Sequence, residues 1–318
     1  MAAKRQKPKR RHHHVWQHYL KAWTENDSIW CRQDDRIFST GTPSIAVEKD
    51  FYKLESFTRE DLKVIETLFA QGHPGAKRNH ARLVGQLMTP FRLADQLKNS
   101  AHWAEIEQSL NNYASNVLED YHATIEASFI PLLQSALNGD LSFYHDERIM
   151  PFLNYLTTQY MRTKGIKERT IALCEADKSA DLTRVWNVLI HMFAPNIGAG
   201  LYLERRRRKL ILLNNRTNVP FITGDQPAIN LKSNRPHPPE SLSIYYPLSP
   251  RHALLLADVD EEPLVRADGL SPAQASMLNE KLYAASYSQV FAESQISLQS
   301  LSGSAPPSES ARPTPSKA

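Results

Sequence analysis

Cysteine is nearly missing: Cys31 and Cys174 are the two in 318 residues, and they lie far apart. That scarcity excludes a disulfide-stapled framework and a Cys-rich metal site, leaves at most one long-range bridge, and fits a reducing cytoplasm. No apolar run approaches the roughly eighteen residues that span a bilayer, and the basic N-terminus has no apolar core of a signal peptide. A cytoplasmic chain without a membrane partner is therefore expected. Also missing are a P-loop, a dinucleotide glycine fingerprint, a nucleophile elbow and a kinase signature, which removes support for the commoner enzyme classes. Acid is missing from residues 1–11, where Lys4, Arg5, Lys7, Lys9, Arg10 and Arg11 stand together. Against a net charge of +4, the remainder is nearly neutral. Such a tail is a solvated terminus or a source of phosphate affinity through counterion release.

What is present reads as an α+β protein. A hydrophobic content of 41% suits a sizeable core. Trp16, Tyr19, Leu20 and Trp23 recur at helical steps, and β-prone runs at 28–31 and 36–39 flank a polar tip, as in a hairpin. Thr58 is placed to cap a helix with Glu60 and Asp61 in its first turn. Residues 73–90 look basic and loop-like. The longest periodic segment, 100–137, carries Ile106, Leu110, Tyr113, Val117, Tyr121, Ile125 and Phe129 on one predicted face. A second helix is expected over 147–163 and a third over 182–193, ending before Pro195. From Leu210 the period shortens to an antiparallel β signature, followed by a helix capped at Ser271 and a last strand near 287–292. The expected organisation is a basic disordered tail (1–11), one domain (12–292) and a disordered Ser/Pro-rich tail (293–318). Within the domain, 12–57 holds a helix and hairpin, 58–209 a helical layer, and 210–292 a β-rich region with one closing helix.

Four patches carry chemistry. Phe-Ile-Thr-Gly-Asp-Gln-Pro at 221–227 looks like a strand delivering Asp225 to a sheet rim. Gln159 and Arg162 continue an apolar helical stripe, so each must meet a partner or a ligand, and Arg162 has the planar fork that suits carboxylate or phosphate. His12 and His13 open the folded region, and His14 with His18 forms an i, i+4 pair that lacks the Glu of a zincin motif. Arg205, Arg206, Arg207 and Arg208 form a basic block of the kind that contacts nucleic acid in some proteins and is merely solvated in others.

These patches resemble an uncharacterised, largely bacterial family, domain of unknown function 4238. A His-His-x-Val-Pro-Gln-x-Tyr-Leu motif is matched by His12, His13, Val15, Gln17, Tyr19 and Leu20, with Trp16 in place of the proline. A Phe-(Ile/Leu)-Thr-(Ser/Gly)-Asp-(Asn/Gln)-Pro motif is matched by 221–227, a Pro-Leu-Ser-Pro motif by 247–250, and a Gln-x-x-Arg by Gln159 and Arg162. The resemblance implies no activity; it marks residues to test.

Two functions fit. In the first, a phosphodiester hydrolase of nuclease-like or toxin-like kind, His12 or His13 is base or metal ligand. Asp225 binds the divalent metal or orients the base, and Arg162 with Gln159 holds phosphate. In the second, a non-catalytic nucleic-acid- or protein-binding module, His12, His13 and Asp225 form a structural clasp tying the N-terminal arm to the β region.

Overall fold

The computed structural model describes residues 7–178, 180–233, 241–259 and 269–301. The arm enters as strand β1 (Arg11–His13) and turns at Trp16 into the single-turn helix α1 (Gln17–Leu20), burying Val15, Trp16, Tyr19, Leu20 and Trp23. Strands β2 (Ser28–Gln33) and β3 (Arg36–Gly41) form the expected hairpin, with Asp34 at the tip in the left-handed region at φ 53°. Strand β4 (Val47–Lys49) returns to pair antiparallel with β1, setting His12 opposite Glu48.

Thr58 caps helix α2 (Arg59–Leu68) in a capping box with Asp61, which satisfies two otherwise unpaired N–H groups. The loop-like reading of 73–90 is corrected: helix α3 runs from Pro74 to Gln96 (Pro74–Gln96). Its basic surface hid a buried stripe of His80, Val84, Leu87, Met88 and Ala94, and Pro74 at its start needs no hydrogen-bond donor there. Helix α4 (Trp103–Leu137) matches the long periodic segment, and Ile125 and Phe129 of the expected face are buried, but Tyr121 is not. Tyr121 is 43% exposed, while Leu118, His122, Ile125 and Phe129 lie inside.

Helices α5 (Ile149–Met161) and α6 (Lys164–Ala176) follow, the latter unanticipated. Helix α7 (Trp186–Leu203) starts later than expected and continues through Pro195. Pro90 and Pro131 likewise sit inside helices. At each, burial of the flanking apolar stripe outweighs the lost backbone bond.

The β region contains β5 (Arg208–Asn214), β6 (Thr223–Gly224), β7 (Ile229–Asn230), β8 (Ile244–Ser249) and β9 (His252–Asp258). Helix α8 (Pro272–Ala285), capped by Ser271 and Gln274, leads to β10 (Gln289–Ala292) and a short helix α9 (Gln295–Gln299). One antiparallel sheet has the order β5-β9-β8-β7; another has the order β3-β2-β10-β6. The second sheet joins the first and last parts of the chain. Ordered structure passes both expected tail boundaries. Ser294 caps α9, Leu298 and Leu301 are buried, and residues from Lys7 onward dock against α4. The rest of both tails lies outside the described residues.

Candidate functional site

Backbone pairing of β1 with β4 carries the His12 ring into the interior, where it has no exposed surface. Its Nδ1 accepts from the Tyr52 backbone N–H at 2.8 Å, while Nε2 lies 2.7 Å from the Lys9 carbonyl and 3.0 Å from that of Ser115. Carbonyls only accept, so the ring is held as the neutral Nε2–H tautomer. Burial lowers its pKa. His13 is also engaged: Gln17 donates to its Nε2 at 2.7 Å and Pro43 supplies a backbone partner. Burial, with Arg11 and Arg162 nearby, brings its pKa down to about 4.

At the end of α5, Arg162 is enclosed. It donates to the carbonyls of His13 at 3.1 Å and His14 at 3.4 Å, and pairs with Glu126 at 2.7 Å. Gln159 also donates to the His14 carbonyl, at 3.3 Å, and the Tyr52 hydroxyl donates to the Arg162 carbonyl at 2.7 Å. Burial opposes the guanidinium's charge, but Glu126, Tyr52 and Glu119 more than offset it, and the pKa is raised.

Asp225 is 1% exposed. Its Oδ1 accepts from the Tyr287 N–H at 2.6 Å; its Oδ2 accepts from Ser288 N–H at 2.7 Å, Ser288 Oγ at 3.0 Å and Gln289 N–H at 2.9 Å. Burial raises its pKa against the pull of these donors, and four donating groups fit only the ionised form. Gly224 beside it has no room for a side chain: a β-carbon would stand 2.3 Å from Ser286 Oγ and 3.0 Å from the Gln289 carbonyl. Gln226 accepts from Thr163 Oγ1 and donates to the carbonyls of Tyr160 at 3.2 Å and Ala228 at 2.9 Å.

The arm meets the 221–227 stretch through other side chains. Tyr19 shares a hydrogen bond with Thr223 at 2.6 Å, and the Trp23 indole donates to the Phe221 carbonyl at 2.9 Å. The Phe221 N–H in turn donates to the Pro250 carbonyl at 2.9 Å. Trp16, where a proline was expected, has φ −60°, a value proline also adopts, so the turn needs no change of backbone to carry an indole. The four family motifs thus converge on one knot, tied largely through backbone groups, and the basic block at 205–208 stands apart from it.

The pattern is shared with a family. A family model described as "Protein of unknown function (DUF4238)" matches residues 11–295. The chain belongs to this family. Searches of curated proteins and of solved structures return no match. The family description names no reaction.

Sequence reasoning missed a second set of groups around Arg162. Glu119, His122 and Glu126 follow one another at three- and four-residue steps on α4, and His191 reaches them from α7, its ring centroid 5.0 Å from that of His122. Tyr52 lies 4.4 Å from His122. Among the described residues neither ring nitrogen of His122 has a hydrogen-bond partner, nor do His191 Nε2, His14 Nδ1 or Glu119 Oε2. Burial, aided by Glu126 and opposed by Arg162, brings the Glu119 carboxyl up to about 7. The available signal was a histidine inside an apolar stripe with acids one turn away on each side. Among the described residues no group of three or more His, Cys, Asp or Glu is arranged to hold a metal ion.

The titrations have opposite signs. Burial holds His14 and His191 at about 3, below the roughly 6.5 of an unfolded histidine, so the unfolded chain binds more protons as pH falls. Stability should drop by about 1.4 kcal/mol per pH unit for each below that value. Glu119 acts in reverse: its raised pKa contributes stability that is fully present below about 4.5 and lost as pH rises through about 7. Glu119→Gln should therefore steepen the rise of stability with pH between about 4.5 and 7, read by urea unfolding across that range. An unchanged slope would contradict the burial of Glu119.

A different face carries the basic block. Arg205, Arg206 and Arg208 line a cleft of about 690 Å³ with Tyr144, His145 and Tyr202, while Asp146 and Glu147 also border it. The Arg205 guanidinium lies over the Tyr202 ring at 4.1 Å, and Arg208 pairs with Glu204 at 2.7 Å and Asp258 at 3.3 Å. Of the N-terminal cations, Lys9 pairs with Asp120 at 2.5 Å, Arg10 pairs with Asp50, and Arg11 donates to the Pro43 carbonyl at 2.6 Å. Lys4 and Arg5 lie outside the described residues. Neither Cys31 nor Cys174 is in a disulfide, and no helix among the described residues is long and apolar enough to cross a membrane.

Proposed function

We propose that this protein is a non-catalytic nucleic-acid-binding module in which His12, His13 and Asp225 are structural and the cleft beside Arg205, Arg206 and Arg208 takes phosphates. The observation that carries this reading is Asp225 itself: a buried carboxylate with four donors on its two oxygens has no access to a substrate. His12 supports it, since both ring nitrogens are engaged by backbone groups. The cleft offers the Arg205 and Arg206 guanidinium groups beside the half-buried Tyr202 ring, the combination that tracks a single strand by charge and stacking. Exposed pairs such as Lys9 with Asp120 are weak enough to open when phosphate competes.

Fluorescence anisotropy with labelled single-stranded RNA and DNA tests this reading. Arg206→Ala should weaken binding uniformly across sequences and reduce the slope of log affinity against log salt by about 1. Binding that ignores Arg206, or no binding at low salt, would remove the cleft from the proposal.

The hydrolase reading keeps one specific support, in other residues than Asp225. Glu119, with a carboxyl near 7 beside Arg162, has the proton affinity of a general acid or base. Its test is turnover of phosphodiester substrates with added Mg²⁺, Mn²⁺ or Zn²⁺, abolished in Glu119→Gln while nucleic-acid binding persists.

A further inference from the structure

On the helical layer, away from both the knot and the basic cleft, a groove of about 630 Å³ lies between α2 and α3. Leu62 and Ile65 of α2, Phe69 at its C-cap and Val84 of α3 give it apolar walls. The buried ring of His80 lies 4.3 Å from that of Phe69 and has its pKa lowered by burial, so it lines the groove as a neutral group. Gly85 contributes bare backbone: a β-carbon there would meet nothing within 4 Å. Glycine inside a helix costs about 1 kcal/mol relative to alanine, and no neighbouring atom in the fold requires it at this position. The space over Gly85 is therefore open to an occupant rather than to the chain's own packing.

The charges of the lining show what that occupant carries. Lys77 and Arg92 are both on α3, fifteen residues and so about 22 Å apart along the helix axis. Glu66 is the single carboxylate among the lining residues. Lys77 donates to the Ala70 carbonyl at 2.5 Å, which ties it to the turn end of the groove. Arg92, at the far end, is exposed and forms no ion pair among the described residues. An elongated apolar trough with an unpaired guanidinium at one end and a net positive lining is complementary to a chain with an anionic head. Its volume falls in the range of small-molecule sites, about 300–1,000 Å³.

We propose that the α2–α3 groove binds a straight-chain carboxylate amphiphile, with the hydrocarbon along Leu62, Ile65, Phe69 and Val84 and the carboxylate on Arg92. This site is independent of the nucleic-acid cleft, so either can fail alone. The test uses the full chain and dodecanoate, below its micelle-forming concentration, followed by calorimetric titration with dodecanol as the uncharged control. Dodecanoate should bind more tightly than dodecanol, and Arg92→Gln should cut dodecanoate affinity by about fivefold while leaving dodecanol unchanged. Gly85→Leu, which fills the open space, should abolish binding of both without lowering the thermal midpoint of the free protein. Ala81→Leu, an exposed lining position one turn earlier, provides a second block should Gly85→Leu fail to fold. Equal binding of acid and alcohol would overturn the role of Arg92. Binding that survives both leucine variants, or absence of binding by the unaltered protein, would overturn the site.

Discussion

Asp225→Asn should destabilise the folded protein by about 3 kcal/mol, the cost of breaking a buried, fully hydrogen-bonded charge. An asparagine keeps the shape but turns one acceptor oxygen into an NH₂ group, which then faces backbone N–H groups that can only donate. Whichever way the amide is set, at least one of Tyr287, Ser288 and Gln289 loses its acceptor. Ser288→Ala is the graded control, because it removes one hydroxyl donor and leaves three backbone donors in place; its cost should stay near 1 kcal/mol. Chemical denaturation reads both values. If Asp225→Asn is as stable as the unaltered chain, the structural reading of Asp225 is lost and a catalytic role for the carboxylate regains its standing.

The second large effect belongs to Arg162. Arg162→Leu strands the Glu126 carboxylate, whose side chain is 16% exposed, and frees the carbonyls of His13 and His14. Removing one partner of a buried ion pair costs about 3–5 kcal/mol. Adding Glu126→Leu should recover a substantial part of that loss, since the pair then disappears together. A double-mutant cycle by urea unfolding measures the coupling, expected between about 1 and 3 kcal/mol. Strict additivity would mean that the pair does not interact across the knot.

Much of the fold could be read from residue patterns because those patterns report burial directly. The hairpin at β2 and β3, the capped starts of α2 and α8 and the β signature after Leu210 all announce themselves within a few residues. The failures have physical causes. Helix α3 hides its apolar stripe beneath Lys and Arg at neighbouring positions, and tertiary packing carries α7 through Pro195 where local rules predict a stop. Short α9 lies in a polar segment and orders because Leu298 and Leu301 find a preformed hydrophobic surface, a long-range effect that no local window contains.

The candidate residues were legible as a set, but their role was not. His12, Gln159, Arg162 and Asp225 are polar residues in apolar surroundings, and that is the mark of a catalytic site and of an internal hydrogen-bonded pin alike. Partners decide between the two, and here the partners of His12 and Asp225 are backbone N–H and carbonyl groups distant in sequence. Glu119 and His122 went unnoticed because the expected face of α4 took in Tyr121, which is exposed, and left out His122, which is buried; His191 is brought beside them only by the packing of α7.

Strand β10 lies between β2, formed near the start of the chain, and β6, which carries the 221–227 stretch. During synthesis, then, the N-terminal hairpin and the segment holding Asp225 are made long before the strand that joins them leaves the ribosome. Until the segment from Tyr287 to Ala292 emerges, β2 and β6 each keep an unpaired edge and the Asp225 carboxylate has none of its donors. Closure of this sheet is a late event that depends on contacts across nearly the whole sequence, and it favours slow folding with exposed strand edges in the interval. A nascent chain released before that point would have its helical layer available and its sheet open, the state in which edge-to-edge association between copies is most readily started.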